Sequence, residues 1–294
     1  MRVRRAACAA GFALILGVSG CGLPEGVDGD IGWPTPASAE QVVSKAGDCH
    51  TSLGEQIAPA KEQTVDCAAS HNRETTYVGA FTGAAAAERK PPTLDRYSTA
   101  VAKAAQAEVY AECDRRTSEY VGHNWYHIRL RLVVAVPTDV AWQAGQHWYR
   151  CDLVEVDLGV DAVQAREGSL KGATLPATCL AVPASGTAKV VPCAERHNSE
   201  YAGTFLAPQT SKEVVEPDYE SLHTTCRTVA ASFLGVRAAQ VAGLAGTYLW
   251  FDNRSDYNLA EYWIMGRRLV HCLLWFGTGT MTGSARGNKG RDLP

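Results

Sequence analysis

One stretch of this chain is written twice. Val65-Asp66-Cys67-Ala68-Ala69-Ser70-His71-Asn72-Arg73-Glu74 returns as Val191-Pro192-Cys193-Ala194-Glu195-Arg196-His197-Asn198-Ser199-Glu200, with six of ten positions identical. Farther on, Trp142-x2-Gly145-x5-Cys151 returns as Trp263-x2-Gly266-x5-Cys272 with its spacing unchanged. Each copy orders Cys, then Cys-x3-His-x2-Glu, then Cys, then Trp-x2-Gly-x5-Cys. A supersecondary unit repeated along a chain buries its apolar face in the same way each time, so two tandem modules of one fold are expected.

The N-terminus reads as an export signal. Arg2, Arg4 and Arg5 precede the apolar stretch from Ala6 to Val18, which is too short to span a bilayer comfortably. It closes on Val18-Ser19-Gly20-Cys21, a lipobox-like end that makes Cys21 the expected lipidation site of a lipoprotein signal peptide over residues 1–20. An ordinary signal with an incidental cysteine is the alternative. Removing the signal takes three of the 28 basic residues and none of the 31 acidic ones, moving the net charge of −3 to −6. An acidic chain offers no footprint for nucleic acid and no electrostatic hold on anionic lipid. The expected membrane contact is therefore the lipid anchor, on the extracytoplasmic face of the cell membrane.

With Cys8 and Cys21 set aside, Cys49, Cys67, Cys113, Cys151, Cys179, Cys193, Cys226 and Cys272 divide evenly between the copies. In an exported chain an even count reads as disulfides. The pairing expected is Cys49–Cys67, Cys113–Cys151, Cys179–Cys193 and Cys226–Cys272, all within a module. No Cys-x2-Cys pair exists to suggest a zinc site.

Residues 21–46, with Pro24, Pro34, Pro36 and several glycines and serines, read as a flexible tether. Module one is placed at 47–160 and module two at 173–276, with a charged, glycine-containing join between them. Residues 277–294, rich in Gly, Thr, Ser and Lys/Arg, read as a disordered tail. Within module one, short strands are expected at Thr64–Cys67 and Thr76–Phe81, and Thr93 is the expected N-cap of an Ala-rich helix to about Tyr120. Ile128–Val136 alternates apolar and basic residues as a half-buried strand, and His147–Val156 is another. Module two repeats the order, with strands at Lys189–Cys193, Tyr201–Phe205, Thr247–Phe251 and Arg268–Phe276, and a helix from about Asp218 to Phe233. The fold class is α+β: two tandem homologous disulfide-bonded modules, each one main helix on a small, mostly antiparallel sheet.

His71, Glu74, His197 and Glu200 form the one constellation that occurs twice. His and Glu three apart can share a face as an acid–base pair or as metal ligands, and two such pairs could converge between modules. The plainer alternative has each His bonding backbone in its Cys loop while the Glu pairs locally. A third alternative has these loops presented to a partner. Trp142 and Trp263 read first as core covers beside a turn glycine, with glycan stacking as the other possibility. His123-Asn124-Trp125-Tyr126-His127 has no counterpart in the second copy, and His147 and His271 sit at different offsets from the final cysteines. No Gly-x-Ser-x-Gly, His-Glu-x2-His, P-loop or Gly-x-Gly-x2-Gly motif is present. No catalytic residue, metal ligand set or cofactor is assigned.

Taken together, Asp48-Cys49, Val65-Asp66-Cys67-x3-His71-x2-Glu74, Val78-Gly79-x-Phe81, Cys113, Pro137-x4-Trp142-x2-Gly145 and Cys151, with their counterparts through Cys272, resemble two copies of the septum-formation-related domain of actinobacterial membrane proteins and lipoproteins. Module two departs from the pattern at Pro192 and lacks the proline before Trp263. The resemblance implies a cell-envelope protein linked to division-septum formation, with no family catalytic residues to carry over. The expectation is a non-enzymatic, lipid-anchored binding or scaffold protein with protein partners in the envelope. A metal-binding protein or envelope enzyme using Cys-x3-His-x2-Glu is the alternative.

Overall fold

The computed structural model describes residues 44–58, 62–93, 97–157, 162–175, 177–185, 188–208, 218–251, 263 and 267–294. The expected signal peptide, Cys21, most of the tether and Gly266 lie outside the described residues. Among those described, no helix is long and apolar enough to cross a membrane.

The first half builds a sheet from β1 (Cys49–His50), β2 (Gln56–Ile57), β3 (Thr64–Val65), β4 (Arg73–Ala80), β5 (Leu130–Pro137), β6 (Trp148–Asp157) and β7 (Ala162–Gln164), in the order β2-β5-β6-β4-β1-β3 with β7 on β6. The pairings are antiparallel except β2 with β5. Two short helices, α1 (Gly83–Ala86) and α3 (Asp139–Gln143), flank the long α2 (Ala100–Val121). The second half has β8 (Cys179–Ala181), β9 (Lys189–Val191), β10 (Ser199–Leu206), β11 (Gly246–Phe251) and β12 (Leu269–Trp275), ordered β11-β12-β10-β8-β9, with α4 (Tyr219–Leu234) and the short α5 (Ala238–Val241). The protein is a mixed α+β fold of two sheets and four disulfides.

Alanine and long unbranched residues favour α2, and Thr99 caps it, its hydroxyl accepting from Ala102 N at 3.0 Å. Thr93 is therefore not the N-cap. The apolar spacing that suggested an earlier start included Tyr97, which is 79% exposed and belongs to no buried face. Gly122 (φ 83°) ends α2 and Gly235 (φ 74°) ends α4, each in the left-handed region that favours glycine.

The disulfides are Cys49–Cys67, Cys113–Cys151, Cys179–Cys193 and Cys226–Cys272; none joins the two halves. One bond in each half ties the strand before the motif to the motif itself. The other staples the long helix to the sheet, α2 to β6 and α4 to β12. Each contributes about 2–4 kcal/mol by restricting the unfolded chain.

The halves are not separate globules. Val154 and Val156 of β6 are buried with Leu180, Tyr201 and Leu273, and Leu269 belongs to the core of the first half with Trp125, Leu132 and Leu153. The join and the tail are also structured. Leu170 is 1% exposed in the first core, and Ala285 is fully buried against Phe233 and Leu274. The expectation of a disordered tail at 277–294 is thus corrected. Its side chains stay mostly exposed, but backbone bonds from Met281, Gly283, Gly287 and Lys289 to the second half and the buried Ala285 hold its path.

A buried ionic network has no sequence signature. Asp152 accepts from Arg73 Nη1 (3.2 Å), Arg150 Nη2 (2.8 Å), Arg150 Nε (3.0 Å) and Thr75 Oγ1 (2.9 Å), while Arg150 Nη1 reaches Glu62 at 2.6 Å. His50 lies 2.5 Å from the same Glu62 oxygen. Arg73, Arg150, Asp152 and His50 are each at most 1% exposed. Burial works to raise the Glu62 pKa, but hydrogen bonds from His50 and the Arg150 guanidinium outweigh it and hold the carboxyl at about 2. In the second half, His271 is buried against Tyr201, and desolvation, aided by the charge of Arg131, pushes its pKa down to about 3.

Two outcomes follow from these buried groups. Asp152→Ala strands two buried guanidinium groups and is expected to cost about 3–5 kcal/mol in urea unfolding. Both depressed pKa values give stability that is present at neutral pH and lost in acid. His271 loses its share as pH falls from 6.5 toward 3, and Glu62 as it falls from 4.5 toward 2. His271→Leu is expected to flatten the stability–pH curve between pH 6.5 and about 4, and an unchanged curve would count against this assignment.

Candidate functional site

The repeated motif builds the same bonded loop in both halves. After Cys67 the chain turns, Ala69 N donating to Asp66 O at 2.8 Å; after Cys193, Glu195 N donates to Pro192 O at 2.8 Å. His71 then pairs in both backbone directions with Arg166 (2.9 Å each), as His197 does with Met281 (3.0 and 2.9 Å). Gly168 N donates to Cys67 O and Gly283 N to Cys193 O, both at 2.6 Å. These glycines have φ of 82° and 79°, a conformation that strains any residue with a Cβ.

That returning segment wraps the motif glutamate. Glu74 accepts from Ser169 Oγ (2.6 Å) and Leu170 N (2.5 Å); Glu200 accepts from Ser284 Oγ (2.9 Å) and Ala285 N (2.7 Å). Both glutamates are fully buried. A carboxylate without water survives only when its oxygens are filled by donors, and here those donors arrive from the segment beyond each half's main strands.

The last donor differs between halves. Tyr120 OH gives Glu74 Oε1 a hydrogen bond at 2.5 Å; burial, followed by the hydrogen bond and charge of Glu74, pushes the phenol pKa well above its ordinary value. Tyr120 lies seven residues beyond helix Cys113. The residue seven beyond Cys226 is Phe233, which has no hydroxyl, and there His197 Nε2 takes over at 3.2 Å from Glu200 Oε1. His197 Nδ1 already donates to Glu195 O (2.9 Å), since a carbonyl can only accept. His71 Nδ1 donates likewise to Ala69 O (2.8 Å), but its buried Nε2 has no partner among the described residues.

All six residues considered for partner contact are interior. His71 and His197 are each 1% exposed, and Glu74 and Glu200 are fully buried. Trp142 packs edge-on to Phe81 and donates to Glu88 O at 2.7 Å, and Trp263 is buried with Leu222, Ala207 and Val270. The expectation that these side chains touch a partner or glycan is corrected, because they are consumed by their own fold. The two His/Glu pairs do not pool into one site either; each is bonded to its own loop. Trp125 of the unrepeated aromatic run is fully buried and donates to Asp114 at 2.6 Å. Sequence reasoning missed Tyr120, Ser169, Ser284 and the glycines before the serines. A signal existed in Gly168-Ser169-x-Lys171-Gly172 and its return as Gly283-Ser284-x-Arg286-Gly287.

Ligand atoms of Cys179, His197 and Glu200 lie within 4.8 Å of one another, as do those of Cys49, Cys67 and Glu74. The sulfurs are disulfide-bonded, so neither group offers a thiolate, and the carboxylates are already saturated by protein donors.

Residues 46–272 match the family model described as Septum formation, as one copy spanning both halves. The chain belongs to the septum formation family. That description ties it to a step of cell division. No curated protein and no solved structure matches it.

The returning segment gives a direct test. Deleting residues 277–294 strips Glu200 of Ser284 and Ala285, and is expected to cost several kcal/mol, on the order of a buried charge left unsatisfied. Glu200→Gln is expected to lower stability and to speed hydrogen exchange at the Ala285 amide. A truncated protein with unchanged thermal unfolding would refute the role given to the segment.

Proposed function

We propose that the protein is a lipid-anchored, extracytoplasmic binding or scaffold protein of the cell envelope that acts in septum formation without catalysing a reaction. One observation carries this reading. The residues with chemical potential that recur in the two halves, the cysteines, His71, Glu74, His197 and Glu200, are spent on internal bonds. What remains for function is the surface they hold in shape. The export signal, the Val18-Ser19-Gly20-Cys21 end and the proline-containing tether support an anchor at Cys21. The matched loops, down to the φ angles of Gly168 and Gly283, support descent of the two halves from one duplicated unit.

A metal-binding function is the second reading, favoured by the convergence of Cys179, His197 and Glu200. It requires an opened disulfide and a displaced Ser284–Ala285 segment. Stoichiometric zinc taken up by the purified protein once its disulfides are reduced, and lost in His197→Ala, would favour it over the scaffold reading.

The scaffold reading is tested in dividing cells with a fluorescent reporter that folds outside the membrane, fused after Pro294 through a flexible linker. Enrichment at mid-cell is expected, and Cys21→Ala is expected to move the protein from the membrane to the soluble fraction. Uniform labelling of the envelope would remove the septal part of the proposal. Unchanged membrane retention of Cys21→Ala would remove the anchor.

A further inference from the structure

The two halves differ at one place where the first is filled and the second is open. Each central strand carries a β-bulge just after the motif glutamate, and each resumes pairing opposite the helix-stapling cysteine. In the first half Tyr77 pairs with Cys151; in the second Gly203 pairs with Cys272. The helices follow suit. Arg116 stands three residues beyond Cys113, its guanidinium 4.7 Å above the Tyr77 ring. Val229 stands three beyond Cys226, and a Cβ on Gly203 would lie 3.2 Å from its Cγ1.

So the first half carries an aromatic plug between central strand and long helix, closed by a cation, whereas among the described residues the second half has no ring there and Val229 packs directly against Gly203. Beside that contact is a cleft between β10 and α4, lined by Gly203, Thr204, Val229, Ser232, Phe233 and Arg286. It adjoins a smaller recess reaching Ile128 and Arg129. Among the described residues the cleft's walls hold Arg286 and no acidic residue, while Arg129 in the recess is paired with Glu155. The Arg286 guanidinium lies over the Phe233 ring at 5.3 Å and has no acidic partner among the described residues. Gly203 has φ of 136°, so a side chain cannot fill the space from the strand without backbone strain.

We infer that this cleft is a binding site for an aromatic side chain of a partner protein, presented on an extended acidic segment. The Tyr77 ring, held between the corresponding strand and helix, is the internal template for the occupant. Arg286 supplies the cation that an acidic flank would meet, and Val229 and Phe233 supply the apolar walls. This gives the proposed binding function a location. Because it is read from the purified protein, its failure is separable from failure of the septal or anchoring proposals.

The test uses an acetylated, amidated pentapeptide with a central tyrosine flanked by aspartates, titrated into isotopically labelled protein and followed by NMR. Saturable shifts are expected at the amides of Gly203, Val229, Phe233 and Arg286, with none at Tyr77. Val229→Phe and Ser232→Trp fill the cleft from the helix, the second from an exposed position that leaves the core intact. Each is expected to weaken binding by at least about tenfold through steric exclusion. Arg286→Gln is expected to weaken it about two- to fivefold, the range of an exposed ion pair. Equal binding of the peptide with leucine in place of tyrosine, shifts elsewhere on the surface, or no saturable shifts would each overturn the inference.

Discussion

A fully buried carboxylate cannot be left to itself, and in this protein that requirement ties together parts of the chain far apart in sequence. Glu74 takes donors 95 and 96 residues away, and Glu200 takes donors 84 and 85 residues away. Each half therefore completes its motif only after the chain has run through the long helix and the main strands and come back. The cysteine bonds set the hairpin and clip the helix. The glutamate decides where the returning segment stops, because only a backbone N–H and a serine hydroxyl at that point fill both oxygens. The left-handed glycines at 168 and 283 are part of the same arrangement, turning the segment so that donor groups face inward.

The same scheme admits different solutions at its edges. Where α2 supplies Tyr120, α4 supplies Phe233, and the imidazole of His197 moves into the missing donor's place. The loss of a hydroxyl on one element is compensated by a nitrogen on another, which is why a histidine present in both halves has a bonded Nε2 in one only. Away from the motif the halves part further. The face of the first sheet that carries Arg73, Arg150 and Asp152 is held by charge pairs closed over by Ser44, Ser52 and Glu62. The equivalent positions of the second sheet carry Ser199, His271 and Leu273, and Leu273 with the neighbouring Tyr201 packs on Val154 and Val156 of β6. A face that meets another sheet needs shape and apolar area, whereas a face closed by a short loop can be satisfied by charges in fixed geometry.

Much of the fold was legible in the residues because local signals were strong and agreed with one another. The alternation of Leu130, Leu132, Val134 and Val136, the alanine-rich run before Cys113 and the paired cysteines mark strands, helix and staples without reference to anything distant. The signals failed where composition stood in for contacts. Residues 277–294 look like solvated tail because glycine, serine and threonine are common in loops, yet Ala285 is core. His71 and His197 look like exposed chemistry because histidine is polar, yet each is buried with its Nδ1 on a backbone carbonyl two residues back. Nothing local in a strand tells whether an arginine such as Arg150 points to water or to a buried aspartate.

The sequence by itself determined that one motif recurs in two corresponding stretches, that each has a long helix among strands, and that the cysteines divide evenly between them, since repeat spacing and periodicity are properties of the covalent chain. Only the tertiary structure decided what encloses Glu74 and Glu200, how the two sheets share a core, and that a cleft lies between β10 and α4 beside Gly203. Those outcomes depend on which side chains meet across many tens of residues. Packing is a property of pairs brought together by folding, and a linear pattern specifies only one member of each pair at a time.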